Sequence, residues 1–557
     1  KLKRNVRSLH ERIFFRPLLA AVSTLSRDEV ALSDQAAQDR LAALGYRDPR
    51  GAMRHIEALT NGVSRRAEIQ RHLMPVLLGW FAEGVDADAG LLGFRLVSES
   101  LGTTSWYLRM LRDSPAAAER LCQILSSSRY ITDLLEDAPT SITWLDKVAD
   151  LQPLSAGALK AEITSLLSRH EDSADAMRAV RYLRRREILR IAMGDALNLL
   201  SVQQVCTGLA TVDECTIGAA LALAEREEIK AGERNEETAP QKSDAPQHDS
   251  QEATGENPED EQQTPLLTEI TAIAMGRLGG AENGFGSDAD VMFVHRPVEG
   301  ADEKEAQAQA NRIVNRLMQL IKQPVRPAIR AERPLEVDAD LRPEGKQGAL
   351  VRSLDSYRAY YERWAETWEF QALLRARPIA GSEDLGRAFV ELIDPYRYPR
   401  EFTVEQVQQV RRMKARVEHE RMPHGADRTR QLKLGRGGLS DVEWLVQLIQ
   451  LQHAHKVEGL RTTSTLEALD AAVQANLVAA EDAEVLRDAW LLATKIRGGN
   501  VLRGVRQSDL LPTLRDALEA VARWSGYTPG SARQLEEDYL RVTRNARKVY
   551  ERLFFEG

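Results

Sequence analysis

The stretch TAIAMGRLGGAENGFGSDADVMFV, residues 271–294, decides the fold around it. A short apolar run enters a glycine-rich turn, and a second apolar run, Val291 to Val294, follows the turn. Because strand side chains alternate with period 2, this pattern predicts a strand, a turn and a second strand. Gly279 and Gly280 are small enough to let an anion approach the backbone of the turn closely.

Two carboxylates mark the end of this turn. Asp288 and Asp290 are two residues apart, so their side chains share one face of the second strand. Carboxylates at this spacing repel each other unless a cation lies between them, and Mg²⁺ is usually held by carboxylates together with substrate phosphates. The stretch therefore predicts a site for Mg²⁺ and a polyphosphate, which we interpret as the active site of a nucleotidyltransferase.

A later predicted strand, residues 335–341, offers the third carboxylate that a two-metal phosphoryl-transfer site needs. Glu336, Asp338 and Asp340 have the same parity along this strand, so any of them can face the site. The residues alone leave the choice among these three side chains open.

Two cations follow the acids of this strand at once. The positive charges of Arg342 and Lys346 favour contacts with a triphosphate or with leaving pyrophosphate. The alternative interpretation of this segment is a solvated turn without a ligand.

A second glycine-rich stretch, KLGRGGLSDVEW at 433–444, again places acids after glycines and is a rival for the active site. The apolar residues after it recur with helical spacing, so Asp441 is expected in the first turn of a helix. One interpretation is therefore a structural turn. The other is a loop that covers the nucleotide and contributes Lys433, Asp441 or Glu443.

The remaining sequence divides into segments of different character. Helical spacing predicts a helical linker or scaffold domain over 1–170 and a helical bundle over 385–557. The glycine-rich motif and the predicted strands between them indicate a nucleotidyltransferase domain over 172–382. Residues 230–265 are acidic and poor in apolar side chains, which predicts a disordered insert. The arginine-rich stretch 180–191 is expected to be a solvated helix face, or else to help neutralise a triphosphate.

Two further helices are expected within the mixed region. Residues 304–322 have one apolar stripe, which predicts an amphipathic helix. Residues 353–377 predict one long helix, ended by Pro378, with an aromatic stripe that faces the core.

Composition limits the class of protein. The chain has 557 residues, which is too long for one core, and its net charge of −8 argues against a nucleic-acid binder. No apolar run approaches the roughly 20 residues that cross a bilayer, so no membrane association is expected. Three cysteines without metal-ligand spacing indicate buried thiols and a cytoplasmic location. The start at Lys1 suggests a fragment or a processed chain.

Four motifs together resemble the glutamine synthetase adenylyltransferase family, most closely its high-GC Gram-positive members. They are GRLGGAENGFGSDADVMFVHRP (276–297), VDADLRPEGKQG (337–348), WEFQALLRARPIAG (368–381) and LKLGRGGLSDVEWLVQLIQLQHA (432–454). Members of this family carry two tandem nucleotidyltransferase halves. The resemblance implies that this chain is the adenylylating C-terminal half with the central helical linker, and that the other half removes AMP.

The resemblance also implies a fold, a reaction and partners. The expected fold is α+β and predominantly helical, with a DNA-polymerase-β-like nucleotidyltransferase domain flanked by helical domains. The expected reaction uses Mg²⁺, as two ions, to transfer AMP from ATP to a tyrosine of glutamine synthetase. A PII-type signalling protein and glutamine are the expected regulators.

Site residues carry over from the family by position. Asp288 and Asp290 match the metal-binding acids, Asp338 matches the third carboxylate, and Gly286 with Ser287 matches the phosphate-contacting turn. Only seven residues separate Gly280 from Asp288, which is fewer than in the generic nucleotidyltransferase pattern but is shared by the family.

Three alternative functions stay open. The first is phosphorolytic removal of AMP from glutamine synthetase, and the second is uridylylation of a PII signalling protein. The third is a regulatory helical protein with an inactive core, against which the intact acids argue.

Overall fold

Most of the chain is helical. The computed structural model describes residues 27–62, 64–101, 104–238, 266–329, 331–504 and 508–556. One small mixed sheet of five strands lies in the second half of the chain, between long helical segments. The expectation of a predominantly helical protein with one small α+β part is therefore confirmed.

The first helices pack around a core that is continuous with one face of the sheet. Their bounds are α1 Arg27–Leu44, α2 Pro49–Thr60, α3 Arg65–Ala82, α4 Ala87–Leu101, α5 Ser105–Asp113, α6 Pro115–Leu125, α7 Arg129–Asp137, the 3-10 helices Pro139–Leu145 and Val148–Leu151, and α8 Ala156–Arg169. Ser64, Ser128 and Ser155 cap α3, α7 and α8 by accepting a backbone N–H. Each cap satisfies a donor that a helix start leaves unpaired.

Helix α9, Ser173–Ala196, carries the arginine-rich stretch, and its arginines are not a solvated face. Arg181 is buried and binds Glu332 at 2.6 and 2.8 Å. Arg190 is also buried and binds Glu187 at 2.8 Å. The expected solvated face is therefore wrong, because partners remote in sequence or one turn away bind these charges inside the protein.

Helix α10, Val202–Thr238, extends further than the composition of residues 230–265 suggested. Its last turns include Lys230, Ala231 and Glu233, which are good helix formers and prolong the apolar helix before them. The predicted disorder is therefore wrong for residues 230–238. The rest of that predicted insert, residues 239–265, lies outside the described residues.

Residues 202–232 of α10 are long and apolar enough, by length and composition alone, to cross a membrane. The expectation that no apolar run approaches this length was therefore wrong. In the fold, 72% of the most apolar window is buried inside the protein. The helix packs against α8, α9 and the sheet, as the core helix of a globular protein does.

The sheet confirms the predicted strand, turn and strand. Its strands are β1 Thr268–Ala274, β2 Ala289–Pro297, β3 Val337–Asp338, β4 Val351–Ser353 and β5 Arg377–Gly381. The order is β3-β2-β1-β5, with β1 antiparallel to both neighbours and β2 parallel to β3 and β4. A short helix, α11 Gly276–Gly279, begins the connection between β1 and β2. The predicted strand over 335–341 is reduced to two residues.

The two faces of β2 pack on different cores. Val291 and Phe293 join the core that contains α10 and the predicted amphipathic helix, α12 Glu303–Lys322. Met292 and Val294 face the opposite way, into a smaller core. Asp290 has the parity of this second set, so the acids lie at the end of the smaller core's face.

The single helix expected over 353–377 is wrong. The chain forms α13, Leu354–Arg363, and α14, Thr367–Leu373, before β5. Glu366 and Glu369 form a reciprocal capping box that restarts the helix. Trp364 lies at the break and is 73% exposed, so it does not join the aromatic core.

Helices after the sheet form a bundle with its own core. Their bounds are α15 Glu383–Arg397, α16 Val404–Arg421, α17 Leu439–His453, α18 Thr465–Gln474, α19 Ala480–Gly504, α20 Arg515–Trp524 and α21 Ala532–Glu551. Helix α15 differs from the others, because its Phe389 and Ile393 pack on the sheet. The bundle core is built mainly by α16 to α21.

Candidate active site

The predicted acids meet at one end of β2. Asp288 directly precedes this strand, and Asp290 is its second residue. Parallel pairing with β3 places Asp290 opposite Asp338. Because paired residues project from the same face of a sheet, the strand register brings these carboxylates together.

The carboxylate of Asp290 packs against the backbone of Gly276. A β-carbon on residue 276 would lie 2.1 Å from Oδ2 of Asp290, and φ at this position is +52°. The N–H of Met275 donates a hydrogen bond to the carbonyl oxygen of Asp290 at 2.8 Å. The end of β1 therefore holds Asp290 by its side chain and its main chain, which requires glycine at 276.

Electrostatics supports the convergence of the acids. Burial first, then the charges of Asp338 and Asp288, raise the pKa of Asp290 to about 6, against the opposing effect of Lys433 and Arg421. Carboxylates that repel in this way are a donor set that a divalent cation stabilises. These acids therefore fit the predicted Mg²⁺ by their chemistry. Among the described residues, no three metal-binding side chains are already gathered as a cage.

The strand register distinguishes the three candidates for the further carboxylate. Glu336 is exposed, and its carbonyl oxygen accepts the N–H of Ala289 at 2.8 Å. Asp340 donates its N–H to Oδ1 of Asp338 at 2.7 Å, and its own carboxylate forms an ion pair with Lys346 at 3.2 Å. The register therefore favours Asp338, the residue chosen by resemblance, whose role stays a prediction.

The two cations after this strand serve the loop itself. The guanidinium of Arg342 donates to the carbonyl oxygens of Ala339, Gly348 and Lys346 at 2.7, 3.0 and 3.2 Å. The side chain of Arg342 is only 10% exposed, whereas that of Lys346 is 79% exposed. Arg342 therefore fastens the loop, and the phosphate contacts predicted for these cations stay predictions.

Gly279 and Gly280 pack against the bundle side of the sheet rather than lining an open turn. A β-carbon on Gly279 would lie 1.7 Å from the carbonyl oxygen of Arg375. A β-carbon on Gly280 would lie 2.2 Å from Nη1 of the same arginine. Arg375 is buried in an ion pair with Glu282 at 3.0 Å. This packing alone accounts for glycine at both positions.

Gly286 and Ser287 lie in a tight turn directly before Asp288. The Ser287 hydroxyl accepts the N–H of Gly284 at 2.9 Å, and Gly286 adopts a φ of +75°. The turn lines a cleft of about 320 Å³, and Asp288 and Arg333 form other parts of its wall. The structure thus places this turn beside the acids, while its contact with phosphate stays a prediction.

The second glycine-rich stretch reaches the same site from the bundle. Lys433 is close enough to lower the pKa of Asp290, and Glu443 forms a 3.5 Å ion pair with Arg277, the neighbour of Gly276. Asp441 lies in the first turn of α17, as predicted, and is 1% exposed among cations of the bundle. Of the three candidates in this stretch, Lys433 is the cation whose charge acts on Asp290.

Sequence reasoning missed Gly276, Arg333 and Arg421. A signal for Gly276 was present, because it directly follows the apolar run of β1 and lies twelve residues before Asp288. Arg421 ends α16, and Arg333 lies in the segment before β3. No local pattern connects either arginine with the acids.

The sheet and the predicted acids lie in a region that matches a known protein family. The family model "Glutamate-ammonia ligase adenylyltransferase" matches residues 118–247 and 243–392, which include all five strands. The chain belongs to the glutamate-ammonia ligase adenylyltransferase family. A second model, "GlnD PII-uridylyltransferase", matches residues 411–554, which contain most of the bundle.

Relatives within the adenylyltransferase family match the whole chain. It is 46% identical to a bifunctional glutamine synthetase adenylyltransferase/adenylyl-removing enzyme of Leifsonia xyli over 100% of its own length and 52% of the relative. Enzymes of the same name from Streptomyces avermitilis and Mycobacterium tuberculosis are 47% and 43% identical, over 99% of this chain and 53% of each relative. The chain thus spans about half the length of the curated relatives it matches.

Proposed function

We propose that this chain transfers AMP from ATP to a tyrosine hydroxyl of glutamine synthetase and releases pyrophosphate. The observation that carries the proposal is the convergence of Asp288, Asp290 and Asp338 at the end of β2, with Gly276 fitted against Asp290. Membership of the adenylyltransferase family supports ATP as the nucleotide and glutamine synthetase as the acceptor.

The proposed chemistry follows from the three acids. Mg²⁺ held by Asp288, Asp290 and Asp338 would neutralise the charge of the phosphates. A tyrosine hydroxyl has a pKa near 10, so it needs a proton acceptor. We assign this role to Oδ2 of Asp338, because Oδ1 already accepts the N–H of Asp340. The tyrosine oxygen bonds to the α-phosphorus as the bond to pyrophosphate breaks, and the proton leaves through Asp338.

The finer architecture is part of this proposal. We assign a DNA-polymerase-β-like nucleotidyltransferase domain to residues 172–382, between a helical linker over 1–170 and a bundle over 385–557. The mixed sheet with acids at the end of its second strand supports this assignment. We also propose a cytoplasmic location, in keeping with three buried free thiols, and regulation by a PII-type protein and glutamine.

A direct test is mass spectrometry of glutamine synthetase after incubation with this chain, ATP and Mg²⁺. The expected product carries one added AMP on a tyrosine. The Asp290→Asn variant should form none while keeping its circular dichroism and unfolding temperature. Full transfer by this folded variant would contradict the proposal.

Two competing activities have different substrates. If the chain instead removes AMP, adenylylated glutamine synthetase and inorganic phosphate will give ADP in its presence. The match of the bundle to a uridylyltransferase model makes UTP the necessary competitor. Transfer of UMP to a PII protein, without AMP transfer to glutamine synthetase, would replace the proposed function.

A further inference from the structure

A buried charge cluster lies inside the second glycine-rich stretch. Asp441 forms one ion pair with Lys414 at 2.8 Å and another with Arg547 at 3.0 Å. The N–H of Gly437 donates to Oδ2 of Asp441 at 2.7 Å. Asp441 and Lys414 are 1% and 2% exposed, so the pair is shielded from water. Both oxygens of Asp441 are therefore occupied by the fold, which argues against a ligand role for this acid.

The cluster holds in place the turn of residues 433–438, which begins at Lys433. The N–H of Lys433 donates to Oε1 of Gln431 at 2.8 Å, and its carbonyl oxygen accepts the N–H of Ser440 at 2.9 Å. A β-carbon on Gly437 would lie 1.9 Å from the carbonyl oxygen of Thr543 in α21. The main chain at residue 433 is consequently held on both sides, with little freedom to shift.

The side chain of Lys433 differs from its buried neighbours. It is half-buried, and it has no hydrogen bond or ion pair with the part of the chain that the structure describes. The hydrogen bond from the N–H of Ser440 joins Lys433 to the start of α17. The ion pair between Glu443 of this helix and Arg277 brings the first turns of α17 beside Gly276, whose backbone contacts Asp290. An ammonium group on the Asp290 side of the bundle, without a direct partner in the described residues, is suited to a polyanion that the acids bind through a cation.

We propose that Lys433 binds the phosphate chain of the nucleotide, and that the Lys414–Asp441–Arg547 cluster is the positioning device that holds it there. This inference rests on the proposed function, because it requires a nucleoside triphosphate at the three acids. It assigns the bundle a direct part in nucleotide binding. Lys433 contacts the leaving pyrophosphate, whereas Asp441 acts only through the turn.

The primary test measures nucleotide binding apart from transfer. Calorimetry with Mg²⁺ and a non-hydrolysable α,β-methylene analogue of ATP, and inhibition by pyrophosphate, should both weaken about 10- to 100-fold in Lys433→Ala. Lys433→Arg should recover most of the binding, since it keeps the charge. Arg436→Ala is the matched control, because Arg436 is an exposed cation of the same turn.

The positioning role needs its own variants. Asp441→Asn should weaken binding of the analogue by about the same factor as Lys433→Ala, and combining the two changes should add little. If Asp441→Asn fails to fold, Arg547→Gln is the substitute variant. The side chain of Arg547 is 20% exposed, and its replacement leaves the ion pair between Lys414 and Asp441 intact. Independent, multiplying effects of the two substitutions would overturn the positioning role.

The outcomes separate this inference from the proposed function. If Lys433→Ala binds the analogue and pyrophosphate like the unaltered chain while Asp290→Asn abolishes transfer, the role of Lys433 is wrong and the function stands. The role is also wrong if Lys433→Ala raises only the KM for the acceptor protein. If Asp290→Asn retains full transfer, the proposed function fails, and the role of Lys433 fails with it.

Discussion

Gly276 lies against the carboxylate of Asp290 so closely that a single β-carbon would reach within 2.1 Å of Oδ2. The contact joins the end of β1 to the start of β2, the two strands on either side of the glycine-rich connection. A main-chain hydrogen bond from Met275 to Asp290 lies beside it. The position of a candidate metal ligand is thus set by a residue that contributes no side chain.

Replacement of Gly276 by alanine should therefore impair catalysis far more than folding. Displacement of Asp290 by about 1 Å should lower kcat about 100-fold. The left-handed φ of +52° should cost alanine about 1 kcal/mol of unfolding free energy. Steady-state kinetics and urea denaturation measure the two effects separately.

Gly300→Ala is the matched control for this substitution. Its φ is +85°, but no atom lies within 4 Å of the added carbon. The same kind of backbone strain should then appear without loss of transfer. Equal losses of activity in both variants would show that strain, rather than contact with Asp290, is responsible.

The loop after Asp338 should depend on Arg342 and not on Lys346. Arg342→Ala removes three hydrogen bonds to carbonyl oxygens of this loop, so kcat should fall at least about 10-fold and proteolysis in the loop should accelerate. Lys346→Ala alters an exposed side chain and should change neither. If Lys346→Ala instead raises the KM for ATP, and Arg342→Ala changes neither kcat nor proteolysis, the direct phosphate contacts predicted from the sequence would be supported.

Glu225 should make the protein less stable as pH rises. Burial raises the pKa of Glu225 from 4.5 to about 7. Between these values the unfolded chain ionises while the folded chain stays protonated, so stability falls from about pH 4.5 to 7 and the loss is complete above it. Glu225→Gln should therefore raise the unfolding free energy at pH 8 by about 1–2 kcal/mol, allowing for partial solvent screening, and leave it unchanged near pH 4.

Glu227, on the same helix, is the control with the opposite sign. A hydrogen bond from Arg316 lowers the pKa of Glu227, so its contribution is present above pH 4.5 and is lost on acidification. Glu227→Gln should slightly destabilise the protein at pH 8. Urea denaturation at pH 4 and pH 8 checks both variants, and stabilisation by both would refute the assignment to burial.

The ion pair between Glu282 and Arg375 should be a large contributor to the attachment of the bundle. Both side chains are less than 10% exposed, and Glu282 also accepts the N–H and the hydroxyl of Thr465 at 2.6 and 3.0 Å. Glu282→Gln leaves the guanidinium uncompensated, which should cost about 3–5 kcal/mol.

An exposed pair provides the comparison for this substitution. Glu269 and Arg296 lie 2.7 Å apart with side chains 37% and 40% exposed. Glu269→Gln should cost at most about 1 kcal/mol. Urea denaturation midpoints measure both variants, and similar shifts would contradict the importance of burial.

The sequence alone was sufficient to predict those elements whose residues lie in one continuous segment. The strands around residues 271–294 and the amphipathic helix over 304–322 have periodicities that depend on one core-facing surface. From the sequence, we could predict that a third acid joins Asp290, but not that this acid is Asp338. The choice among Glu336, Asp338 and Asp340 depends on the register between β2 and β3, and the two-residue alternation of side chains does not define that register.

Long-range partners explain what the sequence could not predict. Arg181 looks like part of a solvated face until Glu332, 151 residues later, is placed beside it. The break at Trp364 could have been found, because Glu366 and Glu369 have capping-box spacing. Lys433 has no such signal, since its nearness to Asp290 results from how the bundle packs on the sheet.

The two ends of the acidic segment are fastened independently of what lies between them. Glu227 in α10 is tied to Arg316 of α12, and the N–H of Leu267 donates to Gln309 of the same helix at 2.7 Å. Chain length between such anchors adds only a slowly growing loop-closure cost. The register of β1 thus depends on contacts with α12 on either side of residues 239–265, so a change of chain length between the two anchors would leave both contacts in place.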